Sequence, residues 1–375
     1  MQVLFANIEK KVYFCSSFEL ISMKKVFFCI LFFLVCTLTP CAQPIAVKGA
    51  DVSWVTEQEA DGVAFRNAAG DTTDLFAIMR EEGVNAIRLR VFVDPVASGY
   101  GPWCDLQDAI VKARRAQAQG MDVMIDYHYS DFFADPGCQR IPQAWQDTSL
   151  QALKEQVDRY TRESMERLCA AGVTPRWVQV GNETTSGMLL PTGRIQWEDQ
   201  PGHRFDRYVT LSNAGYEAVK AVCPKTEVVI HIDNSFQAWE GDCCWFREYI
   251  EAGGKVDVIG LSHYATPEFW NRDSVHVPSN INAAKSVEAL HRRFGKPVML
   301  VETGFPTDDP ELWRTAMSDL YTRLQAGKSC AGVFYWEPQV FRWWRPGYYI
   351  RNNWGAYNMG AFTWDGQPMK GFLPE

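Results

Sequence analysis

Two glutamates end short apolar runs far apart in the chain: Glu183 follows Trp177-Val178-Gln179-Val180-Gly181-Asn182, and Glu302 follows Val298-Met299-Leu300-Val301. Carboxyl groups so placed suit cleavage of a glycosidic bond, in which one must be protonated to help the leaving oxygen depart while the other is ionised. At a separation of ~5–5.5 Å the ionised partner attacks as a nucleophile rather than activating a water. Burial and mutual repulsion push the two pKa values apart, so both roles can be held at one pH. Polar residues attend the other apolar runs too. Asp51 and Trp54 end the first, Arg88 and Arg90 lie in the second, and the third runs into Asp126-Tyr127-His128-Tyr129-Ser130-Asp131. Ser262-His263-Tyr264 and Tyr335-Trp336-Glu337-Pro338 end two more. One such charge is as readily structural, but seven run ends of this kind point to a site. Asn182 is suited to hydrogen-bond a sugar 2-hydroxyl, and Arg88 or Arg90 to orient an ionised Glu302. Alternation along a strand puts both arginines on one face, expected to be the inner one.

The elements that must carry these residues are eight apolar, β-branched runs: Val47–Val52, Ala86–Val91, Val123–Tyr127, Trp177–Val180, Val228–His231, Val256–Leu261, Val298–Val301 and Gly332–Trp336. Helical segments are expected between them, at Asp105–Gln119, Leu150–Ala171, Phe205–Val222 and Glu311–Ala326, with Gly120, Gly172 and Gly327 as stops. Continuously apolar strands belong to a parallel sheet buried on both faces. Eight strand-helix units close a (β/α)8 TIM barrel, whose active site lies at the C-terminal strand ends. An open doubly wound sheet is the alternative, but no GxGxxG turn follows the first strand. No linker or repeat divides residues 43–375, which read as a single catalytic domain.

Composition narrows the partner. A net charge of −8, with no later run of Lys or Arg, argues against nucleic acid and anionic membrane. The 14 Trp, 14 Tyr and 22 Phe supply faces that can stack on sugar rings, although core packing accounts for most of them. Lys24-Lys25 before the apolar run Val26–Cys36 read as a secretory signal over 23–42, with 1–22 an upstream extension and Met23 the better start. Leu38-Thr39-Pro40-Cys41 also resembles a lipobox, which leaves free secretion and anchoring through a lipidated Cys41 as alternatives. A cell-surface or secreted monomer is expected. Among the later cysteines no zinc or redox spacing occurs, so buried free thiols are expected, with Cys104 and Cys138 the best candidates if one disulfide forms in addition.

The ordered motifs GADVSW, IRLRVFVDP, DYHYSDFFADPGCQ with PQAW, GNETTSGMLLP, GLSHY, ETGFP and FYWEP resemble the arabinogalactan endo-β-1,4-galactanases of glycoside hydrolase family 53, a branch of the 4/7 superfamily of retaining glycosidases. The resemblance runs from Gly49 to Pro338. It implies β-1,4-galactan as substrate, Glu183 as acid/base and Glu302 as nucleophile; no cofactor is expected. By position it gathers Arg90, His128, Asn182, His263 and Trp336 around the sugar, and Asp51, Trp54, Asp131 and Tyr264, at the other run ends, are expected to bind it too. Two departures stand out. Phe133 occupies a position where the family often has Trp. The loop after strand seven, which in some members binds calcium, reads only Pro306-Thr307-Asp308-Asp309-Pro310. Asp308 and Asp309 are expected to cap the next helix, and no metal is expected.

Other classes fit less well. His128, His231 and His263 lack HxxxH or HExxH spacing, and no GxSxG elbow is present for a serine hydrolase. A non-catalytic glycan-binding protein would not need both glutamates. Within enzymes, a β-mannanase or endoglucanase of the same superfamily is the alternative.

Overall fold

The computed structural model describes residues 44–196, 204–233, 244–265 and 276–374. The signal at 23–42, Cys41 and Cys243 lie outside the described residues. The strands are β1 (Val47–Asp51), β2 (Ala86–Val91), β3 (Asp122–Tyr127), β4 (Trp177–Val180), β5 (Glu227–Ile232), β6 (Val258–Tyr264), β7 (Val298–Gly304) and β8 (Cys330–Trp336). Each pairs in parallel with its chain neighbour, and β1 pairs with β8 from Val47↔Gly332 to Asp51↔Trp336, closing the barrel. The helices are α1 (Val55–Ala60), α2 (Leu75–Glu81), α3 (Leu106–Ala118), α4 (Leu150–Ala170), α5 (Asp206–Val222), α6 (Cys244–Glu251), α7 (His276–Phe294), α8 (Pro310–Gly327) and the short α9 (Gly347–Arg351).

Strand alternation divides the apolar residues into two cores. Val47, Ala86, Met124, Trp177, Val229, Val258, Met299 and Phe334, one from each strand, fill the lower barrel. Their outward neighbours pack under the helices in the larger cluster. Gly49 is required by this filling, because a Cβ there would lie 2.2 Å from the Phe334 ring. Above the apolar layer the inward positions turn polar: Asp51, Arg88, Arg90, Asp126, Gln179, His231 and Ser262 are all buried.

One irregularity matters for the site. Between Leu300 and Glu302, β7 carries one residue more than its partner β6, where Leu261↔Leu300 is followed by Ser262↔Glu302. The same insertion appears against β8, where Val333↔Leu300 is followed by Tyr335↔Thr303. A bulge shifts every later side chain to the other face. Val301 and Glu302 therefore both face inward, and Thr303 turns out to donate to His263 O at 2.6 Å.

Local signals agree with the sequence at most boundaries and differ at a few. Gly120 and Gly172 take the left-handed φ of 70° and 80° that ends a helix. At the end of α8 it is Lys328, not Gly327, that does so, at φ 57°. Asp309 caps α8, accepting from Glu311 N at 3.0 Å and Leu312 N at 3.1 Å, whereas Asp308 makes no cap. Cys104 and Cys138 are both free thiols rather than partners. Cys104 is locked under the β2 loop with its Sγ 3.5 Å from Ser53 O, and among the described residues it is Cys169 and Cys223 whose sulfurs come together, 3.0 Å apart at the ends of α4 and α5.

Candidate active site

Glu183 follows β4 with a left-handed backbone, φ 46°, after Gly181 at φ 83°. Non-glycine residues rarely adopt this conformation, and it turns the carboxyl over the barrel mouth. Glu302 reaches the same place through the β7 bulge. Oxygens of the two carboxyls lie within 4.8 Å of each other. Burial first, and the Glu302 charge second, push the Glu183 carboxyl well above the usual carboxylate range. Burial also raises Glu302, to about 6, but the Arg88 guanidinium and a hydrogen bond from Tyr264 oppose it. The pair thus shares one proton, held on Glu183.

Arg88 is the hub beneath them. Its guanidinium lies 2.9 Å from Asp51 Oδ2, 2.9 Å from Asp126 Oδ2 and 3.3 Å from Glu302 Oε2, and donates to Asn182 Oδ1 at 2.7 Å. A planar fork of five donors is the group that can meet four such acceptors at once. Asn182 is fixed further by its own Nδ2, which donates to Ala134 O at 2.8 Å. Tyr264 Oη donates to Glu302 Oε1 at 2.8 Å, so both oxygens of that carboxyl are engaged. Ser262 Oγ donates to Glu183 Oε1 at 2.6 Å and is itself 2.8 Å from His231 Nε2.

The cleft over these groups is walled by Phe132, Phe133, Tyr349, Trp336 and Trp354, with Asp135 at its side. Such a lining, aromatic faces around a few aimed polar groups, suits a neutral polyhydroxylated ligand. The family model for glycosyl hydrolase family 53 matches residues 47–370. The chain belongs to glycosyl hydrolase family 53. It is 34% identical over 321 residues to the endo-beta-1,4-galactanase of Bacillus subtilis (strain 168), covering 78% of this chain and 70% of that one. A fungal beta-1,4-galactanase structure superposes with a TM-score of 0.72 at 27% identity, over 88% of this chain and 98% of the other. The Ignisphaera aggregans GH53 catalytic domain does so with a TM-score of 0.73 at 26% identity, over 88% and 97%.

Within this family 53 hydrolase the residues expected at the sugar divide into two groups. Arg90, His128, Asn182 and Trp336 line the cleft together with both glutamates and Arg88. Tyr264 meets it through Glu302. The others do not reach it. Asp51 is spent on Ser53 and Arg88 below the floor. Trp54 is fully buried behind Trp336, its ring 5.1 Å away, with Nε1 donating to Tyr100 Oη at 2.8 Å. Asp131 ties loops, accepting from Asp94 N and Gln143 N. His263 lies between the inward Ser262 and Tyr264, so its ring points out of the barrel, where Nε2 meets Asn280 Oδ1 at 2.9 Å and burial pushes its pKa down to about 4. Arg90 serves Glu337 rather than Glu302: the two form a buried ion pair, and the guanidinium lies 4.9 Å from the Trp54 ring and 5.0 Å from that of Phe133.

Glu183, His231 and Glu302 could by distance alone gather around a cation. The chemistry of the set does not suit one. Both His231 nitrogens are already engaged, Nδ1 by Gln179 Nε2 and Glu183 N and Nε2 by Ser262, which leaves no ring lone pair turned to the cleft.

Proposed function

We propose that this hydrolase is an endo-acting β-1,4-galactanase that retains anomeric configuration, with Glu302 as nucleophile and Glu183 as general acid and base. The observation that carries this reading is the pair of carboxyls within 4.8 Å of each other with unequal hold on the proton. That spacing is shorter than the ~6.5–9.5 Å at which an inverting pair places a water between its base and the sugar. Glu183 protonates the glycosidic oxygen as Glu302 attacks C1, and then takes a proton from the water that releases the sugar. β-1,4-Galactan as substrate is supported by the similarity to the Bacillus endo-beta-1,4-galactanase and to the fungal beta-1,4-galactanase. Initial rates on galactan, mannan, xylan and cellulose test the substrate. Turnover of galactan alone is expected, and products from only the other three would refute the assignment. The apolar stretch after Lys24-Lys25 and the Cys41 context support action outside the cytoplasm, either secreted or anchored at Cys41.

The pH dependence of kcat/KM should be bell-shaped. Glu302 must be ionised, so the rate should fall as pH drops through about 6. Glu183 must be protonated, so its ionisation sets an alkaline limb above that. A profile still level at pH ~4 would show that Arg88 and Tyr264 hold Glu302 ionised more firmly than its burial opposes them.

A further inference from the structure

His231 lies on β5 and Ser262 on β6, both buried and both turned toward Glu183. Three groups face His231 Nδ1: the backbone amide of Glu183 at 3.3 Å, Gln179 Nε2 at 3.0 Å and Asn182 Oδ1 at 3.1 Å. Asn182 Oδ1 already accepts from Arg88 at 2.7 Å and Gln179 at 3.1 Å, while the Glu183 amide hydrogen is fixed by the backbone and aimed at Nδ1. A ring nitrogen that receives N–H donors carries a lone pair, so the imidazole proton is on Nε2. Burial first, and the Arg88 charge second, hold His231 well below its ordinary pKa, which keeps it neutral with that one proton. Nε2–H then donates to Ser262 Oγ at 2.8 Å. The serine has a single hydrogen, and with its oxygen accepting from His231 that hydrogen goes to Glu183 Oε1 at 2.6 Å. A proton placed on Oε1 would set two hydrogens against each other in that short gap. Among the described residues Glu183 Oε2 accepts no hydrogen bond, and Glu183 lines the cleft.

We propose that His231 and Ser262 are positioning residues that fix which oxygen of Glu183 does the chemistry, holding Oε1 as a permanent acceptor so that Oε2 carries the catalytic proton. This rests on Glu183 being the acid/base. In the first step the Oε2 proton passes to the glycosidic oxygen, which also takes the electron pair of the broken C1–O bond, while a Glu302 oxygen bonds to C1. In the second step a water oxygen bonds to C1, Glu302 leaves, and the water's proton goes to Oε2. One oxygen therefore serves both halves without rotation of the carboxyl. The charged groups acting on Glu183 are Glu302 from β7, Asp233 after β5 and Arg88 from β2. Ser262 is a neutral donor that favours the ionised form, so its loss has a predictable sign.

Ser262→Ala and Ser262→Thr, each in the full chain, test this. Without the hydroxyl, Glu183 keeps its proton to higher pH, so the alkaline limb of kcat/KM in Ser262→Ala should move up by about one unit. Its kcat on galactan should fall about two- to fivefold, because the proton is now shared between two oxygens and a weaker acid gives it up less readily, while galacto-oligosaccharide affinity by calorimetry stays near wild type. Ser262→Thr retains the hydroxyl and should keep the wild-type limb. An alkaline limb unmoved in Ser262→Ala, or moved equally in both variants, would overturn the proposal. Glu183→Gln separates this from the reading beneath it: galactan hydrolysis at the wild-type rate in that variant would show that Glu183 is not the acid, whatever Ser262 does.

Discussion

Removing Glu302 and removing Glu183 should disable the hydrolase in different ways, because each serves a different part of a double displacement. Glu302→Ala has no nucleophile, and hydrolysis of every substrate should fall by several orders of magnitude. Glu183→Ala should be as poor on galactan, whose leaving sugar needs a proton, yet react readily with an activated aryl galactoside, whose leaving group does not. Its deglycosylation lacks a base, so a burst of phenol followed by a trapped glycosyl-enzyme is expected. Azide is small enough to occupy the space of either missing carboxylate. With Glu183→Ala it should restore turnover and yield the β-galactosyl azide, the product of two displacements. With Glu302→Ala it should attack the opposite face directly and yield the α-azide. The wild-type enzyme should release the β-hemiacetal, as proton NMR at early times reads. Release of the α-hemiacetal would refute the retaining mechanism for the whole assignment.

The barrel and its acidic pair were legible because their signals are local. Continuous apolar runs mark strands buried on both faces, and the polar residues that follow them fall at the C-terminal ends. What each strand-end residue does was less legible, because it depends on facing, and facing is set by register. His263 is flanked by two residues that do reach the glutamates, and alternation alone sends it outward to Asn280. By the same alternation Glu302 would have faced away, with Met299 and Val301 inward. Only the extra residue in β7 brings it in, and a bulge leaves no composition signature in a run as short as Val-Met-Leu-Val-Glu. Asp51, Trp54 and Asp131 stand at or just after run ends, yet Asp51 is consumed by Arg88 one layer below the sugar, Trp54 is buried behind Trp336, and Asp131 ties two loops together. Tyr349 and Trp354 were missed because they arrive from the segment after β8, where no periodic pattern ties them to the mouth. Glu337 was visible at a run end, but its partner, Arg90, sits 247 residues earlier in the chain.

That layer below the sugar makes Arg88 the residue whose loss should cost most in the fold itself. Its guanidinium is 1% exposed and stands between Asp51, Asp126 and Glu302. Arg88→Met would fill much of the volume while leaving Asp51 and Asp126 buried with far less positive charge; Arg90 is 3.6 Å from Asp51, and His128 Nε2 lies 3.0 Å from Asp126 Oδ2. Breaking a buried pair by removing one partner costs about 3–5 kcal/mol. For a chain of this size that is a fall in Tm on the order of 10 °C. The activity should change with a definite sign as well. Arg88 is the main influence that favours the ionised form of Glu302, so in its absence Glu302 protonates at higher pH and the acid limb of kcat/KM moves upward. Arg88→Lys separates charge from shape. A point charge on a flexible stem can still neutralise the aspartates, so much of the stability should return, but one ammonium cannot reach Asp51, Asp126, Asn182 and Glu302 at once. Asn182 and Glu302 would then lose their common anchor, and kcat should stay at least tenfold below wild type. An Arg88→Met variant that melts with the wild type and keeps its acid limb would show that the aspartates are protonated partners of the fold, and that Arg88 is not what holds Glu302 ready to attack.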